Sequence, residues 1–196
     1  VVGYDRNPDV SDATDLPDLV ARLSSPRAVW IMVPHGAPTR ATVNELVGLL
    51  EPGDLVIDGG NSYYKDDAVH AALLSERGIG YLDCGVSGGV WGLKNGYGLM
   101  VGGTDADVER MLPIFDALRP AGPRDESFVH AGGTGAGHYA KMVHNGIEYG
   151  LMQAYAEGWE LLEKNGTVSD VPGCFKAWTR GTVVRSWLLD LLVMAL

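Results

Sequence analysis

The chain has 196 residues, 46% hydrophobic and 20% charged, with 25 acidic against 15 basic residues and a formal net charge of −10. That length suits one good-sized domain, or one domain and part of another, with enough apolar mass to bury a core without staples. The scattered basic residues form no nucleic-acid patch, and the acidic balance disfavours anionic membranes but not a small anionic substrate held by a few well-placed cations.

In chain order, VVGY (1–4) reads as a strand. Residues 15–23 read as a short helix, with Asp15 as its cap and Pro17 in its first turn. RAVWIMV (27–33) has the composition of a buried strand, and 39–50 has helical spacing at Val43, Leu46, Leu49 and Leu50. DLVIDGG (54–60) is a strand running into a glycine loop, 65–77 a helix, IGYLDCGV (79–86) a strand, YGLMVGG (97–103) a strand, 105–118 a helix and SFVHAGG (127–133) a strand. This alternation predicts parallel βαβ units in a doubly wound α/β sheet. From about residue 135 to 165 the pattern is helical throughout, NGTVSDVPG (165–173) is a turn, and 175–178 and 183–196 read as helices. The change of character puts a domain boundary near residue 133, so that 1–133 forms an α/β domain and 134–196 the start of an all-helical one. The last stretch, SWLLDLLVMAL, is almost wholly apolar and needs a partner surface, which argues against a monomer and for a homo-oligomer.

Cys84 and Cys174 are far apart and fit no metal spacing, so they read as reduced thiols of a cytoplasmic protein. No signal peptide or membrane-spanning run is visible.

The chemistry concentrates on the long helix. At 100° per residue, Lys141, His144, Asn145, Glu148 and Tyr149 fall on one side. A solvated face is usually made of Glu, Lys and Gln, whereas this stripe mixes His, Asn and Tyr among apolar flanks. A lysine base and a glutamate acid two turns apart, about 10 Å along the axis, can face one substrate. Such a lysine works as a base near neutral pH only where burial or a neighbouring cation favours its neutral form.

Two glycine loops follow strands, DGGNSYYKD (58–66) and DCGVSGGVWGLKNG (83–96), and VPHG (33–36) is a third. In an open α/β sheet, ligands bind beyond the carboxyl ends of the strands, where paired glycines let backbone N–H groups approach an anion. Asn61 and Ser87 add side-chain hydrogen bonds. Asp5 and Arg6 are expected just past the first strand, where an acid suits a ribose 2′-hydroxyl and an arginine a 2′-phosphate. His35 alone is weak, and His130 and His138 receive no role. With no carboxylate–histidine cluster at ligand spacing, no metal is expected.

Taken in order, IDGGNSYYKD, GVSGGVWGLKNGYGLMVGG and GAGHYAKMVHNGIEYGLMQAYAE resemble the decarboxylating 6-phosphogluconate dehydrogenases. The resemblance is strongest over 27–165 and continues through AWTRGTVVRSWLLDL (177–191), in the manner of the shorter, bacterial-type members. The wider β-hydroxyacid dehydrogenase group shares the glycines, the lysine and the asparagine; His144 and Glu148 point to 6-phosphogluconate.

The resemblance implies a Rossmann-like, mostly parallel sheet followed by a helical domain, and NAD or NADP without a metal. It implies Lys141 as general base and Glu148 as the acid that protonates the product enediol. Substrate contacts are expected from Asn61, Ser87, Gly88, Gly89, His144, Asn145 and Tyr149. Cofactor contacts are expected from Val33, Pro34, His35 and Asn61, with Asp5, Arg6 and Asn7 at the adenosine ribose. Arg180 and Arg185 are candidates for the substrate phosphate. The family's opening strand and G-x-G-x-x-G turn are missing here, the segment between Pro8 and Asp15 is short, and the helical domain stops at Leu196. The chain therefore reads as truncated at both ends, and as the whole molecule it is expected to bind cofactor weakly and turn over slowly or not at all. The alternatives are a related β-hydroxyacid dehydrogenase and a non-catalytic remnant that binds sugar phosphate or dimerises.

Overall fold

The computed structural model describes residues 1–196. After the short helix α1 (Leu16–Ala21), five aliphatic runs become β1 (Ala28–Ile31), β2 (Leu55–Asp58), β3 (Gly80–Ser87), β4 (Gly98–Gly102) and β5 (Phe128–Gly132). Their order in the sheet follows the chain, and every neighbouring pair is parallel except β3 with β4. The connections explain the exception. Helices α2 (Ala37–Leu49) and α3 (Tyr64–Ser75) return the chain before β2 and β3, while only a 3-10 turn at Gly89–Trp91 and the short α4 (Gly92–Asn95) separate β3 from β4. That link is too short for a parallel crossover, which takes a dozen residues or more. Helix α5 (Asp105–Leu118) restores the parallel direction before β5.

Helices cover both faces, as a doubly wound sheet requires. Leu19 and Val20 of α1, Val43 and Leu46 of α2 and Leu74 of α3 pack with Val29, Ile31, Val56 and Tyr81. Val108, Met111 and Phe115 of α5 pack with Leu55, Ile57, Leu82, Leu99 and Val101 on the other side. Alternate strand residues thus serve opposite cores, as the period-two geometry of a strand dictates.

Residues 1–4 are not a strand. Gly3 donates to Asp12 Oδ2 at 2.9 Å, and its carbonyl accepts from Asp12 and Ala13. This segment spends its hydrogen bonds on its own turn rather than on a sheet neighbour. The expected cap of α1 is present, with Asp15 Oδ1 accepting from the Asp18 amide at 2.7 Å.

The chain divides into two units, Val1–Met142 and Val143–Leu196, and the division falls inside α6 (Ala136–Asn165). In the second unit, α7 (Val171–Trp178) and α8 (Trp187–Ala195) close a small core of Val171, Phe175 and Leu189 with Tyr155, Trp159 and Leu162 of α6. Asp170 and Ser186 cap α7 and α8. The last helix therefore begins at Trp187 rather than at 183, because the Ser186 hydroxyl accepts from the Leu189 amide at 3.1 Å and starts the helix there.

Candidate functional site

Because β1, β2 and β3 are parallel, the loops that follow them share one edge of the sheet. After β1, Val33 is half-buried and Pro34 and His35 are exposed, and the Pro34 carbonyl accepts from Thr39 Oγ1 at 3.0 Å. After β2, Asp58 Oδ1 accepts from the Gly60 amide at 3.0 Å and tightens the turn into exposed Asn61. A Cβ on Gly59 would stand 2.1 Å from Trp30 Nε1, in space the indole fills, and one on Gly60 would stand 3.1 Å from the Val33 carbonyl, so Gly60 brings the backbones of these two loops together. At the end of β3, half-buried Ser87 is followed by Gly88 and Gly89, with φ of +148° and +51°, a path that residues with side chains rarely follow.

The start of α6 lies on this sheet. Lys141 is buried, at 9% exposure. Its stem lies against β3, where a Cβ on Gly85 would stand 2.4 Å from Lys141 Cβ and 2.9 Å from the Gly137 carbonyl. A Cβ on Gly137 would in turn stand 2.3 Å from the Met100 carbonyl. Two glycines thus let a helix turn rest directly on strand backbone, and the lysine passes over Gly85, two residues before Ser87.

The later stripe residues belong to the second unit. His144 Nδ1 lies 3.7 Å from Glu148 Oε2, with 42% and 39% of those side chains exposed, and 3.3 Å from Asn145 Oδ1. Tyr149 is 69% exposed. Arg180 and Arg185 are exposed, and Arg180 Nη1 donates to the Thr179 carbonyl at 3.2 Å.

Asp5, Arg6 and Asn7 are exposed and do not follow a strand, contrary to expectation, since residues 1–4 form none. They build a turn of their own. Asp5 Oδ1 accepts from the Asn7 amide at 2.7 Å, and Asn7 Oδ1 accepts from the Asp9 amide at 3.1 Å to cap the 3-10 helix Pro8–Val10.

No carboxylate–histidine cluster stands at ligand spacing along the chain, yet the fold assembles one from distant residues. Asp58, Asp67 and His70 bring ligand-type atoms within 4.8 Å of one another, as do Asp67, Asp83 and His138, all of them buried. Asp67 takes the Tyr81 hydroxyl at 2.8 Å and His138 Nδ1 at 2.9 Å. Asp83 takes the Gly135 amide at 2.6 Å and the His138 amide at 2.8 Å. Asp58 Oδ2 and both ring nitrogens of His70 are buried without hydrogen-bond partners. Burial pushes the Asp67 carboxyl above its ordinary range. Burial works against a charged His138, but its bonds to Asp67 outweigh that and raise it. Both directions mean that the pair holds its protons more tightly than the separate groups would. The signal available beforehand was an aspartate inside an otherwise apolar strand, GYLDCGV, because a buried carboxylate must find donors.

Residues 5–121 match the family model of the NAD binding domain of 6-phosphogluconate dehydrogenase, and 137–195 match that of its C-terminal domain. An NAD(+)-dependent, decarboxylating 6-phosphogluconate dehydrogenase of Haloferax volcanii is 45% identical over 179 residues, 91% of this chain and 58% of that protein. A solved Plasmodium falciparum 6-phosphogluconate dehydrogenase, described in its apo form and in complex with its cofactor NADP+ and its substrate 6-phosphogluconate, superposes with a TM-score of 0.81 at 29% identity. That match covers 92% of this chain and 39% of that one. A Mycobacterium tuberculosis 3-hydroxyisobutyrate dehydrogenase gives 0.73 at 28% identity over 89% of this chain and 56% of that one. The chain thus spans roughly half the length of these relatives. It belongs to the 6-phosphogluconate dehydrogenase family.

Proposed function

We propose that this chain carries the chemistry of 6-phosphogluconate oxidation and decarboxylation, yielding ribulose 5-phosphate and CO2 with reduction of NAD or NADP. The observation that carries the reading is Lys141, buried and laid over Gly85 just before the Ser87–Gly88–Gly89 turn, on the helix that next presents His144 and Glu148. Family membership supports the substrate, and the His144–Glu148 pair favours it over the small acids of the wider group.

NAD or NADP, when bound, supplies the hydride acceptor for C3. The loops suit such a ligand: Pro34 and His35 are exposed, Gly60 lets the Val33 carbonyl come close, and no side chain caps the first turn of α2. Val33, Pro34, His35 and Asn61 would line it. Asp5, Arg6 and Asn7 would meet the ribose, where the Asp5 carboxylate disfavours a 2′-phosphate and Arg6 favours one.

Lys141 takes the proton of the 3-hydroxyl as C3 is oxidised. It then returns that proton to the 3-keto oxygen while the C1–C2 bond breaks and CO2 leaves. A β-keto acid decarboxylates readily once its carbonyl is polarised, so a protonated amine suffices and no metal is required. Glu148 protonates the enediol carbon that becomes C1 of the product. Asn61, Ser87, Gly88 and Gly89 bind the carboxylate and hydroxyl end, His144, Asn145 and Tyr149 orient the chain, and Arg180 or Arg185 holds the phosphate.

The second unit supports a homo-oligomer, dimer or tetramer. Met152, Trp159, Leu188, Leu192 and Leu196 line an apolar groove of about 690 Å³, and Trp187 and Met194 are 51% and 69% exposed. Cys84 and Cys174 are free thiols, which suits a reducing cytoplasm, and no helix is long and apolar enough to cross a membrane.

Calorimetric titration with 6-phosphogluconate, then with NAD and NADP, tests the reading. Binding of the sugar phosphate that weakens about tenfold or more in Lys141→Ala supports it. A folded chain that binds neither the sugar phosphate nor a nucleotide sinks it.

A further inference from the structure

The residues that bond the first turn of α6 lie outside the proposed site. Three successive core-facing positions of β3 meet α3 and α6: Tyr81 donates to Asp67, Asp83 accepts from the first turn of α6, and Gly85 receives the stem of Lys141. Helix N-termini leave amides unsatisfied, and side-chain oxygens near in sequence normally cap them. Here the cap comes from 52 and 55 residues away, one Asp83 oxygen for the Gly135 amide and the other for that of His138. The same turn is held a second time, because Asp67 on α3 binds His138 Nδ1 through both oxygens, at 3.0 and 2.9 Å. His138 precedes Lys141 by three residues, so the two lie on the same side of α6. Gly102, the β4 partner of Asp83, would put a Cβ 2.4 Å from Asp83 Oδ1, so this carboxylate has room only because its neighbour has no side chain.

We infer that Asp83, backed by the Asp67–His138 pair, is the positioning residue for Lys141: it fixes the first turn of α6 on β3 and thereby sets where the amine stands beside the Ser87–Gly89 turn. The inference rests on the reading of Lys141 as the base. A helix held only by packing can slide or rotate on a sheet. One held by two charge-assisted bonds from a strand whose next core-facing position carries the lysine stem cannot do so without breaking them.

The test uses the full chain, 15N-labelled throughout and 13C-labelled at lysine, with the Lys141 signal assigned through Lys141→Arg. Parent and Asp83→Asn are compared by NMR and by titration with 6-phosphogluconate. Asparagine keeps one acceptor and turns an NH2 group toward the other amide. The Gly135 and His138 amide protons are expected to move upfield, the Lys141 side-chain signal to shift toward those of exposed lysines, and affinity to fall about tenfold. A merely structural cap would move the two amides, leave the Lys141 signal in place and hold affinity within about twofold; that result overturns the inference, as do unmoved amides. A parent chain that binds no 6-phosphogluconate defeats the reading of the base separately, and the Lys141 signal still decides the positioning. If Asp83→Asn does not fold, Gly102→Ala, whose methyl would stand 2.4 Å from Asp83 Oδ1, displaces that oxygen from the Gly135 amide and carries the same readouts with an expected affinity loss of about threefold. Shifted amides with an unmoved Lys141 signal there overturn the inference in the same way.

Discussion

Helix α6 lives in two environments along its length. In its first turns Gly137, His138 and Lys141 are buried, and Asp67 of α3 and Asp83 of β3 hydrogen-bond His138. From Val143 onward Ile147 is 62%, Tyr149 69% and Met152 48% exposed, and the His144–Glu148 pair is 3.7 Å apart in partial solvent. Both stretches are polar by composition. In the buried stretch the His138 amide and Nδ1 have fixed partners, so geometry is enforced by the cost of losing them. In the open stretch the His144, Asn145 and Glu148 side chains pair with one another in partial solvent, where a lost partner costs less.

The comparison can be broken most sharply at Asp83. Asp83→Ala strands two buried amides and should lower the unfolding free energy by about 3 kcal/mol, after allowing for the desolvation regained by removing a buried carboxylate. Urea unfolding followed by circular dichroism measures it, and a loss below about 1 kcal/mol would mean that the cap is redundant. Next come glycines of opposite sign on one helix. Gly137→Ala puts a methyl 2.3 Å from the Met100 carbonyl and should cost about 2 kcal/mol. Gly146→Ala meets nothing within 4 Å and should stabilise by about 0.5–1 kcal/mol, because it only removes unfolded-state freedom. Equal signs for the two would erase the contrast.

The Asp67–His138 pair gives a pH signature. His138 is raised in the folded chain, its bond with Asp67 outweighing burial. A raised histidine stabilises fully below its unfolded value of about 6.5, and that contribution is lost as pH climbs through the higher folded value. Unfolding free energy should therefore fall across that window, and His138→Gln should flatten this part of the profile. A parent profile already flat above pH 6.5 contradicts the assignment. The smallest effect belongs to the open stretch: His144→Ala should change stability by no more than about 0.5 kcal/mol, since the pair is partly solvated and attracts only when the histidine is charged. A larger change in thermal unfolding would show that this stretch is not as loosely held as its exposure indicates.

Much of this was legible in the chain itself. Strand and helix runs announce themselves by period, and the Asp15 cap with Pro17 is a local signal that the structure contains. The stripe from Lys141 to Tyr149 follows from helical spacing, and the glycine loops sit at strand ends as parallel topology requires. VVGY misled because a strand is a property of two segments, and its bonds went instead to Asp12 and Ala13. The direction of β4 depended on the length of the β3–β4 link, which the run of apolar residues does not reveal.

His138 is the clearest limit. Among glycines and a tyrosine it carries no pattern of its own, and its partners Asp67 and Asp83 stand 71 and 55 residues away. Local sequence determined the elements, the stripe and the loops, because backbone preference and side-chain period act within a few residues. Only the tertiary structure decided which carboxylate caps which helix and where Lys141 stands, because those contacts exist only once β3, α3 and α6 are packed and their buried polar groups must find one another.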